Sequence, residues 1–362
     1  MIVVIFITMG TAKDEFFEPK STLGGYGELH YNYEKSEGAD EGKKKLDFHR
    51  FVLFYSHAWT EQWSFKSEVE LEHNFVGSGS LETDTNNAAT GIHGLGELEL
   101  EQAYINYHSS SLFGFKVGVL LPSVGLLNEH HEPPLFLSVE RPDYAKIIIP
   151  TTWFGNGASV YGSALGLKYQ FTVMEGLNGN GISNKGIRGG RQKGFKADAS
   201  DFLYNASLQY HGISGLLTGV SYIYNDATVD KDNNISVNLM EAHIKYNAHN
   251  IFATAEAATI FYDSPDLKSS YGYYIDFGYN VGSLVGLTAE IIPWVRWSDY
   301  NTASETKSGG DSEKQYHDTK WSIGLALKPI AQVIFKIDYG SKTNELSNKS
   351  SSLFNIGAGY MF

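Results

Sequence analysis

PSVGLLNEHHEPPLFLSVERPDYAKIIIPTTW, residues 122–153, is the stretch that decides what kind of chain this is. Pro133 and Pro134 stand side by side and break any strand or helix ladder there, because each removes a backbone donor. Around them lie Glu129, His130, His131 and Glu132, and then Glu140, Arg141, Asp143 and Lys146. On both sides the sequence returns to an alternation of apolar and polar residues with the two-residue period of a β-strand. A connector this long and this rich in ionisable side chains, set between strands, is expected to fold into the bore of a large membrane β-barrel. There it would set the width and charge of the passage.

Working outward, the alternation recurs along the whole chain. In Trp63 to Phe75, Phe65, Val69 and Leu71 share one face, while Lys66, Glu68, Glu70 and Glu72 share the other. Residues 165–173 set Leu165, Leu167, Tyr169, Phe171 and Val173 against Gly166, Lys168, Gln170 and Thr172. About sixteen such segments succeed one another, an even number, as a single-chain bacterial barrel requires. Short connectors take turns with long polar ones at about 35–45, 76–96, 122–153, 175–200, 227–234, 263–269, 300–319 and 343–351. Short turns belong on the periplasmic side and long loops outside the cell. With the N-terminus in the periplasm, all eight long connectors fall outside. Pro293 is the one awkward residue, since a closed barrel has no edge to host it, and it is expected at a local bulge.

Composition narrows the class. The 362 residues include 23 Tyr and 21 Phe, suited to aromatic girdles at two membrane interfaces. No apolar run reaches the ~18 residues of a membrane helix, which excludes helical spanning. With no cysteine, a disulfide scaffold and a thiolate metal site are both excluded. A net charge of −13 argues against nucleic acid as a partner. Residues 1–12, MIVVIFITMGTA, read as the end of a secretory signal, residues 13–21 as a periplasmic lead-in, and 22–362 as one barrel domain. No G-x-S-x-G elbow or H-E-x-x-H motif is present, so the chain is not expected to be an enzyme.

The chain ends SSLFNIGAGYMF, with Phe354, Ile356, Ala358, Tyr360 and Phe362 on one face. This resembles the closing strand of bacterial outer-membrane proteins. The resemblance makes Tyr360 and Phe362 the signal read by the barrel assembly machinery. Together with the strand number, the GYGELH opening and the NEHHEPP…ERP…IIPTTW segment, the chain resembles the sixteen-stranded porin superfamily, in the group that includes the phosphate-selective porins and uncharacterised relatives. The resemblance implies a homotrimer in outer-membrane lipid and lipopolysaccharide, passing small hydrophilic solutes, with its third extracellular loop narrowing the pore. The arginine ladder of phosphate-selective members is not matched, because Arg50, Arg141, Arg188, Arg191 and Arg296 are scattered along the sequence.

Two rows of carboxylates, Glu68, Glu70, Glu72 and Glu97, Glu99, Glu101, fall on adjacent strands. They are expected to line one wall, with Arg50, Lys66 and Lys116 on neighbouring strands, and to give a mild cation preference. Arg296 is expected on the lumen wall as well. Adjacent side chains on an extended segment point opposite ways, so at most two of residues 129–132 could share an ion. Neither metal nor cofactor is expected.

Overall fold

In the computed structural model, which describes residues 17–74 and 96–362, the alternation is realised as sixteen antiparallel strands closed into one barrel. They are β1 Lys20–Ser36, β2 Lys43–Ala58, β3 Trp63–Glu72, β4 Leu98–Ser110, β5 Phe113–Leu120, β6 Gly155–Ala164, β7 Leu167–Glu175 and β8 Phe202–Ile213. The second half comprises β9 Leu216–Asp230, β10 Asn233–Ala248, β11 Ile251–Asp263, β12 Leu267–Tyr279, β13 Glu290–Thr306, β14 His317–Ile330, β15 Val333–Asn344 and β16 Ser350–Met361. The expected signal segment and most of the second long connector lie outside the described residues.

Each strand pairs with its neighbours in sequence, and β16 closes on β1 from Tyr26↔Met361 to Ser36↔Ser351. The terminal residue takes part: Phe362 N donates to Gly25 O at 2.9 Å and Gly25 N to Phe362 O at 3.0 Å. Closure removes the unpaired edge that an open sheet would present. Outside, Ile275, Phe277, Val295, Trp297, Ile323, Phe335, Ile337 and Ile356 are exposed, while Asp276, Arg296, Ser322, Lys336 and Asn355 between them are buried inward. In water, so broad an apolar surface is a liability; in a bilayer it is the lipid-facing band.

Several connectors differ from the sequence reading. Strands β9 and β10 run on to meet at 231–232, and β11 and β12 leave only 264–266 between them, so the expected loops 227–234 and 263–269 are tight turns. Leu165, expected on a strand face, is instead in a two-residue turn, where it and Gly166 have φ of 53° and 81°. Two positive φ angles in succession match the right-handed twist of the flanking strands. Pro293 is not at a bulge. It faces Leu325 in an unshifted ladder, and pairing with β12 ends one residue later at Gly278↔Trp294. Ile291 N donates to Asn280 Oδ1, at 3.0 Å, on the β12 side. Pro293 nitrogen therefore faces the same way, past the end of that ladder, where no bond is lost.

Bulges lie elsewhere, two of them on the charged wall. Glu28 pairs with Arg50 but Leu29 with Phe48, leaving His49 as the extra residue of β2. Glu68 pairs with Gln102 but Val69 with Leu100, leaving Glu101 as the extra residue of β4. Such an insertion shifts the facing of the residues beyond it and re-aims their side chains.

Inside, the wall is divided. Along β8 to β13 the inward residues include Leu203, Ile223, Val237, Leu239, Ile260, Tyr274 and Tyr300, all buried. Val124, Leu127, Tyr144, Ile148, Ile149 and Trp153 of the third connector pack against them as one apolar cluster. The opposite wall, β1 to β5, carries a dense set of buried charges, Glu28, Arg50, Glu68, Glu70 and Glu101.

Candidate functional site

The third connector, loop 3 (121–154), contains a 3-10 turn, Pro133–Leu135, and one short α-helix, α1 Asp143–Ile147, and is tied to inward side chains around the barrel. Ser123 N donates to Asn205 Oδ1 of β8 at 3.0 Å, and Leu126 N to Glu256 Oε1 of β11 at 3.2 Å. Val139 N donates to Asp338 Oδ2 of β15 at 2.7 Å, and Arg296 Nη1 of β13 to Ser138 Oγ at 2.7 Å. Asn32 Nδ2 donates to Glu140 Oε1 at 2.9 Å, with His30 Nδ1 3.0 Å from the same oxygen. Lys320 of β14 pairs with Asp143 at 3.2 Å. Within the loop, Asn128 bonds Pro122 O, Trp153 O and Trp153 N, which cinches its two ends together. Partial burial of Glu140 opposes ionisation, but its bond to His30 prevails and holds its carboxyl well below the usual carboxylate range.

Loop 4 (176–201) braces loop 3 from the end of the barrel that carries the long connectors. Arg188 Nη1 donates to Thr151 O at 2.7 Å and Lys146 O at 3.2 Å; Arg191 Nη1 donates to Pro150 O at 3.0 Å and to Thr152 O. Lys193 Nζ is 2.6 Å from Glu97 Oε2 and also bonds Glu99.

Two cavities flank the charged side of loop 3. The outer one, about 360 Å³, is lined by Glu28, His30, His49, Glu72, Glu97, Glu99, Glu101, Glu140, Asp143, Lys146 and Lys193. Four of the five arginines, Arg50, Arg141, Arg188 and Arg191, also line it, so residues dispersed in sequence converge in space. Most of these charges are matched: Arg50 lies 2.6 Å from Glu28 and 3.3 Å from Glu70. Arg296 is the exception to the expected grouping. It is paired with Asp276 at 2.5 Å beneath the apolar half of the loop. Nor do Lys66 and Lys116 join the glutamate rows as expected. With Lys20 and Lys168 they line the inner cavity, about 480 Å³, together with Tyr104, Asn106, Tyr161 and Gln170. Both sit nearer the periplasmic ends of their strands than the glutamates do.

Between the cavities the side chains are dry. Tyr26, Glu68, Glu70, Glu101 and His131 are 0, 2, 1, 1 and 2 % exposed. Of the run 129–132, His130 is exposed and His131 buried, as alternation along an extended segment predicts. Burial works against ionisation of Glu129, but the charges of Lys116 and Lys168 outweigh it and keep its carboxyl below the ordinary range. The sequence pattern could not show Glu101 beside Gln102 on the inner face, because a bulge has no signature in alternation. Nor could it pair Asn32 or Asp338 with loop 3, since those contacts are remote in the chain.

Comparison with known proteins agrees with the barrel geometry. The anion-selective porin from Comamonas acidovorans superposes with a TM-score of 0.62 at 10% identity, covering 95% of this chain and 100% of that one. The outer-membrane channel DcaP of Acinetobacter baumannii gives 0.61 at 14% identity, covering 95% and 97%. The chain has the fold of the sixteen-stranded outer-membrane porins. OmpF of Salmonella typhi shares this porin fold at a TM-score of 0.61 and 11% identity, covering 94% and 97%. Closed, antiparallel and apolar outside, this is an integral outer-membrane barrel. By sequence, an uncharacterised protein of Aquifex aeolicus is 26% identical over 379 residues, covering 98% of this chain and 83% of that protein. No family model matches.

Proposed function

We propose that this porin-fold chain is a passive channel, not an enzyme, through which small hydrophilic solutes and ions cross the outer membrane as a homotrimer in lipid and lipopolysaccharide. The observation that carries it is loop 3: polar ties to β1, β8, β11, β13, β14 and β15 hold it across the bore between two charged cavities. Residues 129–132 and 140–146 then form the constriction. The mild cation preference belongs to the carboxylate rows Glu68, Glu70, Glu72 and Glu97, Glu99, Glu101, whose field low-dielectric walls focus. Tyr360 and Phe362 serve as the assembly signal. Planar-bilayer recording with a salt gradient tests the channel and its charge preference. Stepwise conductance with a small reversal potential of cation sign is expected; an anion-sign potential would remove the charge assignment, and absence of steps the channel.

The dry waist favours a second reading, in which the bore is plugged and the barrel serves as a surface scaffold. Deletion of 128–140 separates the two. In a channel the deletion raises conductance; in a plugged scaffold with other barriers it leaves conductance near zero. A third possibility, a saturable anion site, rests on Arg141, whose Nε and Nη2 are buried with no hydrogen-bond partner among the described residues. Block of ion current by phosphate at low concentration would favour it.

A further inference from the structure

We propose that Glu68, Glu101 and His131 form a binding site for a divalent cation of the zinc class, joining loop 3 to the barrel wall. His131 Nδ1 lies 3.2 Å from Asn128 O. A carbonyl oxygen only accepts, so Nδ1 carries the ring hydrogen and Nε2 presents a lone pair. That lone pair faces Glu101 Oε2 at 3.4 Å and Glu68 Oε1 at 3.7 Å. Both His131 Nε2 and Glu101 Oε2 are buried without a hydrogen-bond partner among the described residues. Three acceptors thus converge in a dry site with no donor between them, and leaving such groups unmet is costly.

The separations favour an ion over a shared proton. A charge-assisted hydrogen bond would draw two of these atoms to ~2.7–2.9 Å. Bonds of ~2.0–2.2 Å at a tetrahedral angle place neighbouring donor atoms about 3.3–3.6 Å apart, close to the 3.4 and 3.7 Å found. One neutral imidazole and two carboxylates balance a double positive charge and suit zinc-like ions. Calcium and magnesium want six or more oxygens. The supporting contacts are in place: Gln102 Nε2 donates to Glu68 Oε2, and Asn128 fixes the imidazole tautomer. Arg50 and Arg141 stand nearby, with Arg50 held by Glu28 and Glu70, so the site retains only an ion that bonds all three ligands. Among the described residues a second cluster of this kind, Asp47, His49 and His73, is already satisfied. Asp47 Oδ2 lies 2.7 Å from His73 Nδ1, 3.3 Å from His49 Nδ1 and 3.0 Å from Lys45 Nζ.

Binding does not depend on the channel reading; any effect on ion current does. The full chain, folded in detergent, is titrated with zinc by calorimetry. One tight ion per chain is expected, with His131→Asn and Glu101→Gln each weakening it at least about tenfold, the lower end of what even an outer partner contributes. Heat-modifiable migration in gels checks that each variant folds. Because a variant could still disturb the loop, X-ray absorption on the zinc-loaded wild type reads the ligands directly. One imidazole in a nitrogen and oxygen shell at ~2.0–2.1 Å is expected. No saturable uptake, uptake indifferent to both variants, or a shell with two imidazoles would overturn the site. Zinc uptake without any change in single-channel current would uphold the site and count against loop 3 as the waist.

Discussion

Gly359 lacks a side chain where Pro133 of loop 3 sits: a Cβ there would meet Pro133 Cβ at 2.4 Å. The same holds at Gly357, Gly278 and Gly272, where a Cβ would meet Val139 at 2.9 Å, Leu137 at 3.0 Å and Ile148 at 2.8 Å. Loop 3 therefore rests on bare patches of the wall. Replacing Gly359 with Val is expected to lift the Pro133 segment at an overpacking cost of about 1–3 kcal/mol, leaving the strand ladders intact. Hydrogen exchange should then speed up roughly tenfold in 129–140 and stay unchanged in β15 and β16. Uniform exchange across the loop and both strands would show that the loop does not lean on this glycine.

At the scale of elements, loop 4 acts as a strut on loop 3, and its foot is the Lys193 pair with Glu97 and Glu99. Bonding to Glu99 and Lys193 lowers the Glu97 carboxyl to about 2. Partial burial opposes the Lys193 charge, but its two carboxylate partners raise its affinity for the proton. A lowered carboxyl stabilises the strut above its ordinary value of 4.5, and this is lost as pH falls toward about 2. A raised amine stabilises it below its ordinary value of 10.5, and this is lost at still higher pH. A spin label on loop 4 should therefore stay immobile near neutral pH and loosen in acid, and Lys193→Ala should loosen it throughout. A wild-type label already mobile at neutral pH would contradict this. The strands themselves were legible in sequence, because a barrel exposes one face to lipid and every second residue records it. The stretches 227–234 and 263–269 look like long loops in sequence because polar residues such as Asp230 and Asn233 continue the ladder beyond the membrane, where hydrophobicity no longer marks a strand. The convergence of Arg50, Arg141, Arg188 and Arg191 was invisible, since it depends on how two loops fold over a closed wall.

For the whole molecule, charge is separated along the axis. Carboxylates and guanidiniums mingle in the outer cavity, while Lys20, Lys66, Lys116 and Lys168 gather in the inner one. Lys116 is partly held over Tyr104 and Tyr161, at 5.3 Å from each ring centre. Exchanging Lys66 and Lys116 for Glu should move the reversal potential further toward cations and change the asymmetry of current between the two voltage polarities. If neither changes, ions do not pass through the inner cavity.

The divided interior has a consequence for how such a chain can change over generations. One semicircle, from β8 to β13, glues loop 3 in place through packed hydrocarbon; the other holds the ionic groups that a solute would meet. Substitutions that retune what passes can accumulate on the second semicircle where they spare Asn32, Lys320 and Asp338, which hold the loop there. Drift in the first is confined by volume, and the two halves are free to evolve at different tempos.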